Sequence, residues 1–383
     1  MRIVELGSVA TIERSGVDPR AVDPETLYIG LEHIERGGRI IGHDTVAAAE
    51  LASTKFQFTP EHVLFGKLRP NLGKVSRPWF AGVCSTDILP IRPGQDLDRN
   101  YLAHYLAQPS MVDFAASRAS GANLPRLGPA VLTSFPIPLP PLPEQRRIAA
   151  ILDHADALRA MRRQVLSHLD SLTQSIFHDM FGDPDASTEN IAFGSVATLS
   201  GGRNLVAADS SADSPFRVLK ISAVTTGQFK PNESKPLPPE YVPPAGHLVR
   251  AGDLLMSRAN TTELVGAVAH VGSTPPNLAL PDKVWRFDWN VEAEPVFFHA
   301  LLSTPAIRRR ISRLSSGTGG SMKNVSKAKL ETMPIPSVAT DLQRAFVERA
   351  RQVAYQGELM LAASAADSSL FASLQSRAFR GEL

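Results

Sequence analysis

Residues 136–182 read PIPLPPLPEQRRIAAILDHADALRAMRRQVLSHLDSLTQSIFHDMFG, and this stretch decides the fold. Its first part, Pro136 to Pro143, carries five prolines. Proline lacks a backbone N–H and pushes the residue before it out of the α region, so this part is no helix interior. Pro143 suits the first turn of a helix, where the missing N–H costs nothing. Glu144 then sets a carboxylate at the positive end of the helix dipole. No proline or glycine follows until Gly182. Apolar residues recur at Ile148, Ile151, Ala155, Leu158, Val165, Leu169, Leu172 and Ile176, with Arg162 filling one gap. That spacing predicts one long helix with a narrow apolar seam. At the α-helical rise it would span on the order of 55 Å. So thin a seam requires a partner helix.

The partner is expected at residues 339–383, which lack proline and carry one glycine, Gly357, before Gly381. Its seam is Leu342, Phe346, Val353, Met360, Ala363, Leu370 and Leu374, broken by Arg349, Gln356 and Asp367. Its last turns echo the first helix: SLTQSIFHDMF from Ser171 aligns with SLQSRAFRGEL from Ser373, Phe177 matching Phe379. The echo continues upstream. LGSVATI at Leu6 returns as FGSVATL at Phe193, and Tyr28-Ile-Gly-Leu-Glu-His-Ile returns in pattern as Val218-Leu-Lys-Ile-Ser-Ala-Val. Val63-Leu-Phe-Gly-Lys resembles Leu254-Leu-Met-Ser-Arg, and Phe135-Pro-Ile-Pro returns as Met333-Pro-Ile-Pro. The chain is therefore a tandem duplication with a period far too long for a solenoid. The expected fold is α/β in the α+β sense, with two mixed modules each followed by a long helix. The helices are expected to pair as an antiparallel coiled coil, with the modules at its opposite ends. The predicted segments are module 1–142, helix 143–182, linker 183–190, module 191–338 and helix 339–383.

Composition narrows the class. A chain of 383 residues, 43% hydrophobic, has the length of two or three domains and the make-up of a folded protein. Lys and Arg number 40 against 38 Asp and Glu, so bulk charge points to no partner. The single cysteine, Cys84, excludes a disulfide framework and is expected to be a buried small apolar residue. MRIVELGSV has no basic-then-apolar signal pattern, and a cytoplasmic location away from membranes is expected.

Charge is uneven within the modules. The first reads as short strands and turns, with Glu35-Arg-Gly-Gly-Arg as a turn and residues 100–114 as a helix. From Lys67 to Arg126, eight bases face four acids. In the second module, Thr304 to Leu330 holds Arg308, Arg309, Arg310, Arg313, Lys323, Lys327 and Lys329 without one acid. This run encloses SSGTGGSMKN, Ser315 to Asn324, and its counterpart in the first module is SRASGANLPR, Ser117 to Arg126. Glycines there let backbone amides approach an anion, and Ser, Thr and Asn donate to phosphates or base edges. A basic loop of this kind in both copies favours nucleic acid.

Catalytic patterns are weak. SGTGGSMK departs from a P-loop, because Met322 stands where glycine should precede the lysine and Asn324 stands for Ser/Thr. Asp185, Glu233 and Lys235 fit a PD…ExK nuclease pattern only formally, since Asp185 lies in the polar stretch DPDASTEN. His154, His168 and His178 lie on the long helix without metal-ligand spacing. The rival to nucleic-acid recognition is a helical scaffold or adaptor binding other proteins through the apolar seams.

PIPLPPLPEQRRIAAIL from Pro136, SLTQSIFHDMFG from Ser171 and the terminal SLQSRAFRGEL from Ser373 resemble the specificity subunit of type I restriction–modification enzymes. The resemblance covers the whole chain, with one departure: the second lead-in, PIPSVATDLQRAF, lacks the PLPPLPEQ form. It implies two target-recognition domains, each reading one half of a split double-stranded DNA sequence, and helices that set the half-site separation. It further implies two separate modification subunits that carry S-adenosylmethionine and adenine methylation, a potential restriction subunit, and neither cofactor nor catalytic residue in this chain. Lys and Arg would hold phosphates, while Arg to guanine and Asn or Gln to adenine would read bases. The DNA-binding candidates are Lys67, Arg69, Asn71, Lys74, Arg118, Asn123 and Arg126 in the first module. In the second they are Arg258, Asn260, Ser316, Thr318, Ser321, Lys323, Asn324 and Lys327.

Overall fold

Ile88, Leu89, Pro90 and Ile91 form an unbroken buried run, the pattern of a strand covered on both faces. The strand Ile88–Pro93 lies between Ala10–Ile12 and Val63–Gly66 in a four-stranded antiparallel sheet, with Val75–Ser76 at the edge. The computed structural model describes residues 2–204, 214–317 and 323–383. The chain divides into two units, Met1–Arg163 with Ala362–Leu383, and Gln164–Leu361.

In the first unit a second sheet orders Gly16–Val17, Lys55–Phe58, Gly82–Cys84, Leu27–Ile29 and Asp44–Thr45, with Leu27–Ile29 parallel to Gly82–Cys84. Cys84 is fully buried beside Ile29, Phe58 and Leu64, and that burial pushes its thiol pKa up. The region expected as one helix, residues 100–114, is two, Arg99–Ala107 and Pro109–Ser117. Pro109 is the reason, because it cannot continue a helix but begins one readily. Asp98 caps the first of these helices, accepting from the amides of Asn100 and Tyr101.

The second unit repeats the four-stranded sheet with Ala197–Gly201, Val284–Trp289, Leu254–Ser257 and Val268–His270 in the same order. Its other sheet has three strands, Ser234–Pro236, Arg217–Leu219 and Leu278–Ala279, and again the central strand has a parallel neighbour. Each Pro-Ile-Pro is a short strand, Pro136–Pro138 pairing with Ile3–Glu5 and Pro334–Pro336 with Asn190–Ala192. Ile137 and Ile335 are wholly buried. These strands anchor the chain just before each long helix.

The long helices run Leu142–Phe181 and Thr340–Arg380. The second starts cleanly without the proline-rich lead-in, and a glutamine explains how. Gln145, wholly buried, accepts from the Asp98 amide and donates to the Asp96 and Pro140 carbonyls, all at 2.8 Å. Gln343 accepts from the Glu294 amide at 3.2 Å and donates to the Val338 carbonyl at 2.8 Å. Each unit also binds the far end of the other helix through a glutamine: Gln375 donates to the His104 carbonyl in the first, Gln174 to the Ala300 carbonyl in the second.

Within each unit the two helical segments pair antiparallel. In the first, Arg147 donates to the Leu383 carbonyl, and Arg162 Nε donates to Asp367 at 2.6 Å. The residues that interrupt the two seams thus meet each other. Phe379 packs edge-on against Tyr101 and Tyr105. In the second, Phe177 meets Phe346 and Phe297. The expected seams are covered unevenly. Ile148 and Phe346 are buried, whereas Leu158, Val165, Leu172, Leu342 and Leu370 are each more than a third exposed. Two helices cover only a narrow stripe of one another, so the flanks of the stripe face solvent.

Candidate nucleic-acid interface

In the first unit the strand Val63–Gly66 leads into Lys67, Leu68 and Arg69, and the loop 117–126 folds back onto them. Ser120 and Arg126 exchange backbone hydrogen bonds, the Arg69 amide donates to the Pro125 carbonyl, and the Leu127 amide donates to the Lys67 carbonyl. Backbone pairing alone therefore brings Lys67, Arg69, Asn71, Asn123 and Arg126 to one edge. Arg118 caps the helix Pro109–Ser117, its guanidinium 3.4 Å from the Phe114 ring centre.

The side chains at this edge divide in two. Asp87 accepts from Nε and Nη2 of Arg126, at 3.0 and 3.3 Å, and lies 3.9 Å from the Lys67 ammonium. The carboxylate beside it raises the Arg126 pKa. Lys74 is drawn inward, its ammonium donating to the Leu31 carbonyl at 2.7 Å. Arg69, Asn71 and Asn123 are exposed and have no side-chain hydrogen bond among the described residues. Sequence reasoning missed Arg36. The turn 35–39 presses on the chain after Asn71: Gly37 donates to the Leu72 carbonyl, and a Cβ at Gly38 would lie 1.9 Å from the Val75 carbonyl oxygen. That contact places Arg36, exposed, at the same edge. The glycines marked the turn, but its docking site depended on the fold.

The second unit builds the same element. Val325 donates to the Arg258 carbonyl, as Leu127 does to that of Lys67. Asn260 pairs with Lys323, Ala259 with Asn324, and Ser316 exchanges backbone bonds with Asn324. Arg258, Asn260, Ser316, Lys323 and Asn324 are thereby gathered. Thr318 and Ser321 lie outside the described residues. The Lys323 ammonium donates to the Gly317 carbonyl at 2.9 Å, and that of Lys327 to the Leu199 carbonyl at 2.6 Å. The Asn260 side chain accepts from the Thr261 amide.

Beside this element is a cleft of about 460 Å³ whose lining includes Gly201, Gly202, Arg258, Trp285, Ser326 and Lys327. Asp282 also lines it. The Arg258 guanidinium and the Lys327 ammonium lie 5.8 and 5.7 Å from the Trp285 ring centre, within cation–π range. Two glycines let the chain pass close here: a Cβ at Gly201 would lie 3.0 Å from the Trp285 ring, and one at Gly202 would lie 1.6 Å from the Leu280 carbonyl oxygen. Trp285 carried no sequence signal beyond its type, because only the sheet brings it within reach of the two cations.

The basic run after Thr304 is not one free charged face. Arg309 and Arg310 both bind Asp185, Arg310 also donates to the Pro184 and Pro334 carbonyls, and Arg308 donates to the Glu263 carbonyl. Arg309 and Arg310 thereby fasten the polar stretch after the first long helix. The hydrogen bonds from Arg310 and Arg309 hold the Asp185 carboxyl below the usual carboxylate range. Glu233 accepts from Ser222 and lies beside Lys220. Among the described residues, no group of three or more His, Cys, Asp or Glu could hold a metal ion, and no helix is long and apolar enough to cross a membrane.

Residues 3–169 match the family model of the Type I restriction modification DNA specificity domain. Over 186 residues, 47% of this chain, the sequence is 30% identical to the type I restriction enzyme EcoDI specificity subunit of Escherichia coli, covering 40% of that protein. Over 315 residues, 76% of this chain, it is 26% identical to the EcoKI specificity subunit of Escherichia coli strain K12, covering 67% of that protein. Two solved structures share the fold. One, from work on complex assembly and conformational transition of the type I R-M system, is 18% identical with a TM-score of 0.62, covering 100% of this chain and 98% of its own. The type I restriction–modification S subunit from M. genitalium is 13% identical with a TM-score of 0.58, covering 99% of this chain and 96% of its own. With its duplicated modules, paired helices and a match to the DNA specificity domain at residues 3–169, the chain is similar to the specificity subunits of type I restriction–modification enzymes.

Proposed function

We propose that this chain reads a bipartite double-stranded DNA target, one half-site per unit, for a type I restriction–modification complex. The carrying observation is the repeated element: in both units a basic, Gly- and Ser-bearing loop is hydrogen-bonded to the residues that follow a central strand. Lys and Arg on this element supply phosphate affinity and register, while Arg and Asn side chains supply base readout in the major groove. Two methyltransferase subunits, which bring S-adenosylmethionine and the methyl transfer, dock on the long helices. The domain assignment that goes with this is a recognition domain at 1–142 and another at 191–338. The helices at 143–182 and 339–383 act as the spacer, and 183–190 is the linker.

The test is methylation mapping of DNA exposed to the chain with its cognate methyltransferase. The expected result is a split consensus, with Lys323→Ala/Asn324→Ala relaxing one half and leaving the other unchanged. Equal loss at both halves would show that the units are not independent readers. Methylation by the isolated chain would show that it carries catalysis itself.

A further inference from the structure

Resting on that reading, we propose that Arg69 is the specificity-determining residue of the first unit, presented by a strained backbone to the major-groove edge of a guanine. Arg69 has φ 50° and ψ 61°, a left-handed conformation. Non-glycine residues avoid this region, and a residue preceding proline is driven toward extended backbone instead. Pro70 follows directly. Among the described residues, Glu50 is the other non-glycine with positive φ, and it precedes leucine.

The same turn ends at Gly73, also left-handed at φ 58°, where the chain uses glycine. At Arg69 glycine would relieve the strain, yet an arginine stands there. The conformation is held from outside by the Pro125 carbonyl, which accepts from the Arg69 amide at 2.8 Å, and within the turn the Arg69 carbonyl accepts from the Leu72 amide at 3.0 Å. Strain kept in place by its surroundings is a mark of functional positions.

The side chain explains what the strain is for. Arg126 and Lys67 lie against Asp87, Lys74 is bound to a backbone carbonyl, and Arg118 covers Phe114. The Arg69 side chain has no hydrogen bond, ion pair or ring contact among the described residues, and the residue is exposed. A phosphate oxygen accepts from many directions, so it gains little from a fixed Cα–Cβ vector. Bidentate pairing with guanine O6 and N7 requires an aimed fork, which an over-determined backbone provides.

The experiment uses the full chain with its cognate methyltransferase, selecting from a random-sequence duplex library over a range of salt. Arg69→Gly and Arg69→Ala are expected to lose guanine preference at one or two adjacent positions of one half-site. Affinity for the wild-type target should fall about 10- to 100-fold, with little change in the salt slope. Arg69→Gly should also unfold at a higher temperature than Arg69→Ala, because only glycine takes the conformation freely. A wild-type consensus from Arg69→Gly overturns the proposal. So does a uniform loss across all sequences with the salt slope reduced by about one, the signature of a phosphate contact. A wild-type complex without sequence preference overturns the parent reading and this proposal with it.

Discussion

Replacing Gln145 with methionine should loosen the first unit from the start of its long helix. The side chain is wholly buried and makes three hydrogen bonds of 2.8 Å, to the Asp98 amide and the Asp96 and Pro140 carbonyls. Methionine fills a similar volume and satisfies none of these groups. A typical hydrogen bond contributes about 1 kcal/mol net, and a buried group left without a partner costs about 1–3 kcal/mol. Asp96 is exposed, so its carbonyl regains water, whereas Pro140 is buried and Asp98 half-buried. The expected cost is about 2–4 kcal/mol, confined to the first unit. Gln343→Met, which breaks two bonds, should cost about 1–2 kcal/mol less. A two-unit chain need not unfold in one step, so native-state hydrogen exchange is the suitable assay. The Asp98 amide and the helix Arg99–Ala107 should lose protection, with the second unit unaffected. A local change below about 0.5 kcal/mol, or equal loss in both units, would refute the clamp.

The Arg162–Asp367 pair crosses the two helices at 2.6 Å with both side chains about a quarter exposed, so a double-mutant cycle should give a coupling of roughly 1 kcal/mol. The charge-swapped Arg162→Asp/Asp367→Arg protein should recover part of it, and zero coupling would show that the pair does not set the register. Asp153 on the first long helix accepts from His104 at 2.8 Å, from Asn100 at 3.1 Å and from Arg77. Burial pushes its pKa up, but the hydrogen bonds from His104 and Arg77 outweigh this and hold it below 3.8. A carboxylate with a depressed folded pKa stabilises fully above its unfolded value, and the contribution is lost as pH falls through the folded one. The first unit should therefore lose urea resistance as pH falls below the ordinary carboxylate range, and Asp153→Asn should be less stable at neutral pH with a flatter acid limb. An unchanged acid limb in the variant would remove Asp153 from the account.

The comparison between sequence and structure separates cleanly at particular residues. Each Pro-Ile-Pro and the helix after it were legible because proline forbids helix before Leu142 and no breaker follows until Gly182. The duplication was legible because repeated motifs keep their order whatever the fold does with them, and LGSVATI and FGSVATL do run into equivalent strands, Ala10–Ile12 and Ala197–Gly201. Arg162 and Asp367 were visible as flaws in two separate seams. Their meeting depended on the register of helices about 200 residues apart, which no local pattern encodes.

The basic clusters show the same limit from the other side. Composition named Lys67, Lys74, Arg126, Arg309 and Arg310 as cations, and tertiary structure assigned them to Asp87, the Leu31 carbonyl and Asp185. It left Arg69 and Arg36 facing solvent and set Trp285 beside Arg258 and Lys327. The sequence by itself determined where the two long helices begin and that the modules are paired copies, because proline, glycine and apolar period act through near neighbours. Only the tertiary structure decided which charges remain free, because each carboxylate or carbonyl that holds one arrives from a part of the chain distant in sequence.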